Sequence, residues 1–395
     1  MKNKNSIPLV RDAAFRFKNV EIANKAMTGK LDHEVYTRWA HGNPTVRAFE
    51  EEVAYLEFRN IGESSYKNCL ASSSGMATIL QMFYGLKASG FLEDGDEVIS
   101  STPTYMTTIE VMQKDLPLLG MKTKFVDASD SDNVEKAVTA RTKVIFVEFL
   151  ANPTLRVADV KGIAELAKKH KALFVVDNSF ASAYYFRPLE HDAHLVVHSA
   201  TKFINGHGDV VAGVIVGKEE HMKLFIDQYH RYGACMAPDT ALLLLRSLKT
   251  FDLRLARQGE NAEKLAAWLQ KHPKIKTVHY PGLPSFPQHE LAKSHMATPF
   301  GKAGYGGMVS VEMHTGKDAT NLLDTLSEIS STFIISVSLG FTETRGEFDA
   351  GMVHAGVAEK EMEELGLCPT LIRFSIGVEE IDQLVNDFDT ALKKI

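Results

Sequence analysis

Residues 173–213 read LFVVDNSFASAYYFRPLEHDAHLVVHSATKFINGHGDVVAG, and their pattern decides the fold. Two short apolar runs, 173–176 and 195–197, each end in polar residues. Asp177 follows the first; His198, Ser199, Thr201 and Lys202 follow the second. Apolar runs this short, bounded by polar clusters, are expected to be buried parallel strands. In an open α/β sheet, ligands bind beyond the carboxyl ends of the strands, so both polar clusters should face one crevice.

Taken singly, a lysine here is an ordinary surface lysine and an aspartate an ordinary capping residue. Together they suit pyridoxal 5′-phosphate. That cofactor needs a lysine for its Schiff base, an acid to hold its pyridinium proton and donors for its phosphate.

The rest of the composition narrows the class. A chain of 395 residues exceeds one small core and predicts two or three domains. With 44 Lys and Arg against 50 Asp and Glu, the net charge of −6 offers no basic field for nucleic acid. Cys69, Cys235 and Cys368 lie far apart with no C-x-x-C, which argues against a zinc site or a disulfide framework. The N-terminus MKNKNSIPLVRD lacks an apolar signal region, and no run of about 18 apolar residues occurs, so no membrane partner and a cytoplasmic location are expected.

Outward from the opening stretch, the strand–helix–strand pattern continues. Residues 142–147 (TKVIFV) read as a buried strand ending in Glu148 and the turn Ala151-Asn152-Pro153-Thr154. Residues 159–169 supply a crossover helix back to the Asp177 strand, which makes the pattern doubly wound. Upstream, the small-residue turn at 70–77 (LASSSGMA) enters an apolar helix and leaves free backbone N–H groups where an anion can sit. Residues 94–100 read as a turn and strand that lead to Tyr105. Residues 1–60 read as an N-terminal arm that reaches a neighbouring subunit, with a helix from about Thr45, which caps it, and acids in its first turns. Residues 61–248 are expected to form the cofactor-binding domain and 249–395 a smaller α+β domain. Helices are expected at 238–255, 257–272 and 382–394, and strands at 306–314 and 371–378. Arg373, between apolar neighbours, needs a partner if buried.

The wording VVDNSF, then HSATKFINGHGDVVAG, resembles the Cys/Met-metabolism family of pyridoxal-phosphate enzymes, over about residues 30 to 395. The resemblance implies an aminotransferase-like fold of type I, with a large, doubly wound, mostly parallel sheet beside the smaller α+β domain. It implies that Lys202 carries the cofactor and Asp177 pairs with the pyridine nitrogen. The amides of Gly75 and Met76 would cup the phosphate, with hydroxyls from Ser199 and Thr201. Asn152 would meet the ring oxygen, and Tyr105 would stack on the ring and handle protons at the leaving group. Tyr36 and Arg38 would bind the phosphate of a neighbouring subunit, which requires at least a dimer and suggests a tetramer of two dimers. Arg373 would grip the α-carboxylate of an amino-acid substrate, with Ser338 beside it. No metal is expected.

The chain departs from the family pattern at three places: the four residues between Arg38 and Asn43, Met106 after Tyr105, and Asp349-Ala350-Gly351-Met352-Val353-His354. The implied activity is carbon–sulfur bond cleavage by γ-elimination on methionine, homocysteine or cystathionine. γ-Replacement on an activated homoserine is the second expectation, and β-elimination from cystathionine or cysteine the third. A non-catalytic dinucleotide-binding protein would need a Gly-x-Gly-x-x-Gly turn after a strand, and the chain has none.

Overall fold

A computed structural model describes residues 8–348, 350, 352 and 368–395. Most of the Asp349–His354 departure therefore lies outside the described residues. Seven strands form the larger sheet: β1 (Cys69–Ser72), β2 (Glu97–Ser101), β3 (Lys122–Val126), β4 (Thr142–Glu148), β5 (Leu173–Asp177), β6 (Leu195–His198) and β7 (Gly213–Gly217). Their order is β1-β7-β6-β5-β4-β2-β3, and β7 alone runs against the rest.

The unbroken apolar runs have a physical cause. In β5 and β6, Phe174, Val176 and Val196 pack on one face of the sheet, while Val175, Leu195 and Val197 pack on the other. Because helices cover both faces, neither of these two strands leaves a position for a fully solvated side chain. The crossover helix Val160–His170 packs on β5, and Asp159 caps it by accepting the Gly162 N–H.

A second sheet holds β8 (Ile275–His279), β9 (Met308–Met313), β10 (Ile334–Ile335), β11 (Arg345–Phe348) and β12 (Leu371–Ser375), in the order β10-β11-β12-β9-β8. Only β10 and β11 pair in parallel. The helices Phe251–Leu269, Gly316–Ile329 and Ile381–Lys394 pack together beside it, which is the α+β arrangement expected of this half. No helix among the described residues is long and apolar enough to cross a membrane.

Some details differ from the sequence reading. The helix expected from Thr45 is Pro44–Phe58, and Asn43 is its cap: the Asn43 side chain accepts the N–H groups of Thr45 and Val46. The Thr45 hydroxyl goes instead to Pro8 O, at 2.9 Å, and no acid stands in the first turn. This helix is no free arm. Phe49 and Val53 are buried in the core, and Glu50 Oε1 accepts the Ala71 N–H of β1 at 2.9 Å.

The helix expected over 238–255 ends at Leu248, and the next starts at Phe251. The break lets Arg254 turn back to Ser247 O at 3.1 Å and to Phe203 O at 3.0 Å. A buried guanidinium thus satisfies carbonyls at the helix end and in the loop after Lys202.

Candidate active site

The strand ends of the large sheet, with β11, β12 and the β10–β11 connection of the small sheet, enclose a cavity of about 590 Å³. Lys202 enters it from the loop after β6. That loop is pinned by Ser199 N–H to Ser179 Oγ at 2.7 Å, Gly206 N–H to Lys202 O at 2.8 Å and Arg254 to Phe203 O. Lys202 Nζ donates to Ser338 Oγ at 2.7 Å. Burial, with help from the positive charge of Arg373, pulls its amine down to about 8 against the opposing charge of Glu347.

Asp177 ends β5 and accepts the Ser179 N–H at 2.9 Å. Burial pushes its carboxyl up from the usual range, while the Ser179 hydrogen bonds and the charge of His198 oppose the rise. On the next strand Glu148 stands directly opposite Asp177 and lines the same cavity. Burial and the negative Asp177 raise it to about 8, against an N–H bond from Asn152 at 3.1 Å, the Thr104 hydroxyl and the charge of Arg373. Two buried carboxyls on adjoining strand ends make this end of the cavity a place for a cationic ring atom. The sequence reading placed Glu148 at a strand end but gave it no role. Its signal was the same as that of Asp177, an acid that closes an apolar run. His198 faces away, with Nε2 2.7 Å from the buried Glu57 Oε1.

The opposite quality prevails at the start of the helix Gly75–Ala88. Ser74 caps it by accepting the Ala77 N–H at 3.0 Å. The amides of Gly75 and Met76 come before the intrahelical bonds begin, and the helix dipole adds partial positive charge there. A Cβ on Gly75 would stand 3.0 Å from Ser199 Cβ, so the absence of a side chain at residue 75 lets the lysine loop close tightly over this helix end. Thr201 also lines the cavity. Its hydroxyl donates to Ala212 O at 3.1 Å and accepts the Ala212 N–H at 2.9 Å, which leaves Ser199 the freer hydroxyl.

The small sheet supplies Arg373 on β12, with only 4% of its side chain exposed. Its Nη1 donates to Asn152 Oδ1 at 2.6 Å, and Nη2 pairs with Glu347, its direct neighbour on β11. Ser338 holds φ +101°, and two residues on Gly340 lies so close to Phe203 that a Cβ would stand 2.6 Å from its nitrogen. That approach presses the small sheet's loop onto the lysine loop.

Of the residues singled out in the sequence, Lys202, Asp177, Gly75, Met76, Ser199, Thr201, Asn152, Tyr105, Ser338 and Arg373 all line this cavity. Tyr105 stands at its mouth, 47% exposed. Asn152 accepts from Arg373 with its side-chain oxygen, which leaves its side-chain NH2 to donate to a ring oxygen. Tyr36 and Arg38 lie elsewhere: Arg38 donates to His230 O and lies against the Tyr36 ring. Glu347 and Arg254 are the residues of this region that sequence reasoning missed, and Glu148 was named only as a strand end.

The groups present fit pyridoxal 5′-phosphate. The amine of Lys202 is eased towards neutrality, the buried carboxyl of Asp177 calls for a positive partner, and the glycine-lined helix end suits a phosphate.

A family model described as Cys/Met metabolism PLP-dependent enzyme matches residues 1–393. The chain is similar to L-methionine gamma-lyase of Pseudomonas putida, 36% identical over 392 residues, which cover 98% of this chain and 92% of that one. Among solved structures it resembles cystathionine gamma-lyase from Lactobacillus plantarum complexed with L-serine, with a TM-score of 0.86, 31% identity and coverage of 99% and 94% of the two chains. It also resembles a protein named as O-acetylhomoserine (thiol)-lyase from Campylobacter jejuni, solved with N′-pyridoxyl-lysine-5′-monophosphate. There the TM-score is 0.87, the identity 27% and the coverage 99% and 96%.

Proposed function

The chain belongs to the Cys/Met metabolism family of PLP-dependent enzymes, and from that premise we propose that it is a carbon–sulfur lyase of sulfur amino acids. Its reaction is γ-elimination on methionine, homocysteine or cystathionine, which yields 2-oxobutyrate, ammonia and a thiol. The observation that carries this reading is one cavity holding the depressed Lys202 amine, the buried Asp177 carboxyl and the Arg373 guanidinium.

When bound, pyridoxal phosphate supplies an electron sink for bonds broken at the substrate's α- and β-carbons. The chain's own residues do the rest. Asp177 holds the pyridinium proton, and the amides of Gly75 and Met76, with Ser199, hold the phosphate. Arg373, steadied by Asn152, takes the α-carboxylate as a fork and fixes where the α-carbon stands. Lys202 Nζ, released as a free amine, removes the Cα proton and then moves a proton at Cβ. An amine pulled down to about 8 does this near neutral pH, where an ordinary lysine is almost wholly protonated. Tyr105 at the cavity mouth gives a proton to the departing sulfur.

γ-Replacement, which joins an activated homoserine to a thiol, is the second reading, supported by the likeness to the O-acetylhomoserine (thiol)-lyase structure. We further propose at least a dimer, in which Tyr36 and Arg38 reach the phosphate of a neighbouring protomer, and a tetramer as a pair of such dimers. A cytoplasmic location suits the three free cysteines.

The test is 2-oxo acid release from methionine, cystathionine and an O-acylhomoserine, each with and without cysteine. 2-Oxobutyrate from the sulfur substrates without an acceptor is the expected result. A thioether formed from the acylhomoserine only when cysteine is present moves the chain to γ-replacement, and pyruvate moves it to β-elimination. No 2-oxo acid and no thioether from any of them overturns the enzyme reading.

A further inference from the structure

The reaction leaves Glu347, a buried residue of the cavity, without a role. Glu347 stands on β11 directly across from Arg373 on β12, and their side chains, 5% and 4% exposed, form an ion pair. The same oxygen, Glu347 Oε2, also accepts the Ser338 N–H at 3.3 Å. Ser338 is held at φ +101°, a region that favours glycine, and its carbonyl lies 3.5 Å from Arg373 Nη2. One carboxylate oxygen thus takes a guanidinium and a backbone amide together, the donor pair that suits any bound carboxylate. A buried guanidinium with no anion is costly, so a carboxylate has to stand here before substrate arrives.

We propose that Glu347 is the resident counter-ion of the substrate grip, a specificity-determining carboxylate that the substrate's α-carboxylate displaces from Arg373 and the Ser338 amide. The inference rests on the reading of Arg373 as the carboxylate grip. An amino acid exchanges one carboxylate for another, and Arg373 is never left unpaired. An amine that lacks a carboxylate has nothing to exchange and finds the grip closed. The exchange also weakens apparent affinity, because only molecules whose grip is open bind.

Calorimetric titration of the cofactor-loaded protein with 4-(methylthio)butanoate tests this directly. The probe has a carboxylate and a thioether but no amine, so it binds without reacting. Glu347→Gln keeps the size and an acceptor for the Ser338 N–H but removes the competing charge, and its binding is expected to be about tenfold tighter than wild type. Glu347→Asp retracts the carboxylate by one methylene and is expected to tighten binding by less. It decides the matter should the glutamine variant fail to fold. Loss of a merely structural residue weakens binding, whereas loss of a competitor strengthens it. Unchanged or weaker binding in the folded variants overturns the proposal and leaves the grip reading intact. Binding that survives Arg373→Gln undiminished overturns the grip reading, and this proposal with it.

Discussion

The carboxyl ends of β4 and β5 and the paired strands β11 and β12 bury charge in opposite ways. Glu148 and Asp177 sit side by side: burial pushes both carboxyls up, and the Asp177 charge pushes Glu148 further. Across the cavity Glu347 and Arg373 neutralise one another. The first arrangement awaits a positive partner, as a site for a cationic ring does. The second is already satisfied and yields only to a competing anion. One end is therefore prepared for a cofactor that stays, the other for a substrate that comes and goes.

The most severe break of this comparison removes the group between the two ends. Lys202→Ala is expected to lower turnover by at least about 10³-fold. Circular dichroism should remain that of the wild type, and 2-oxo acid release measures the loss. Retained turnover would remove the lysine from the chemistry. On the awaiting end, Asp177→Asn keeps the shape and discards the charge. Turnover should fall by about 10²-fold or more, and less pyridoxal phosphate should survive dialysis, read from its absorption band. Equal retention and equal rate in the variant would mean that Asp177 is not the ring's partner.

On the satisfied end, Arg373→Lys replaces a planar fork by a point charge. The expected result is a KM for the amino acid raised about 30-fold or more, with kcat changed only a few-fold. A loss confined to kcat would place Arg373 in the chemistry rather than in binding.

The smallest effect separates Glu148 from Asp177. Glu148 titrates at about 8 in the folded chain against an ordinary value of 4.5. Between those two pH values the folded state keeps a proton that the unfolded state has lost, so stability falls as pH rises through that window. Glu148→Gln cannot titrate and escapes the decline. In cofactor-free protein, the Tm of the variant relative to wild type should rise between about pH 5 and pH 8 by a few degrees. A constant difference would show that Glu148 stays ionised throughout.

Sequence made the cofactor end legible and the substrate end only half so. Asp177 and Lys202 close apolar runs in one contiguous stretch, and an acid or amine at a strand end announces itself along the chain. The motif around Arg373 was visible in the same way. Glu347 was not, because its role comes from lying opposite Arg373 across two antiparallel strands, a register that no local pattern encodes. Asparagine and threonine both cap helices well, and Thr45 rather than Asn43 was the residue expected to do so. Which one takes the helix amides depended on the Pro8 carbonyl, brought in from 37 residues away. The break after Leu248 goes with the reach of Arg254 to the lysine loop, a contact that is again tertiary. Tyr36 and Arg38 show the opposite case, a recognisable motif whose expected role one protomer alone does not display.

Lys202 hangs from a loop of the large sheet, while Ser338 and Gly340 belong to the connection between β10 and β11 of the small one. The two halves of the molecule therefore meet at the reacting amine itself, backbone against backbone at Gly340 and Phe203. The 2.7 Å bond from Lys202 to Ser338 acts as a mechanical gauge between them. A relative slide of about an ångström takes it beyond hydrogen-bond range. A packing change far out in either half is then transmitted to the position of one nitrogen, with no residue of the cavity having been altered.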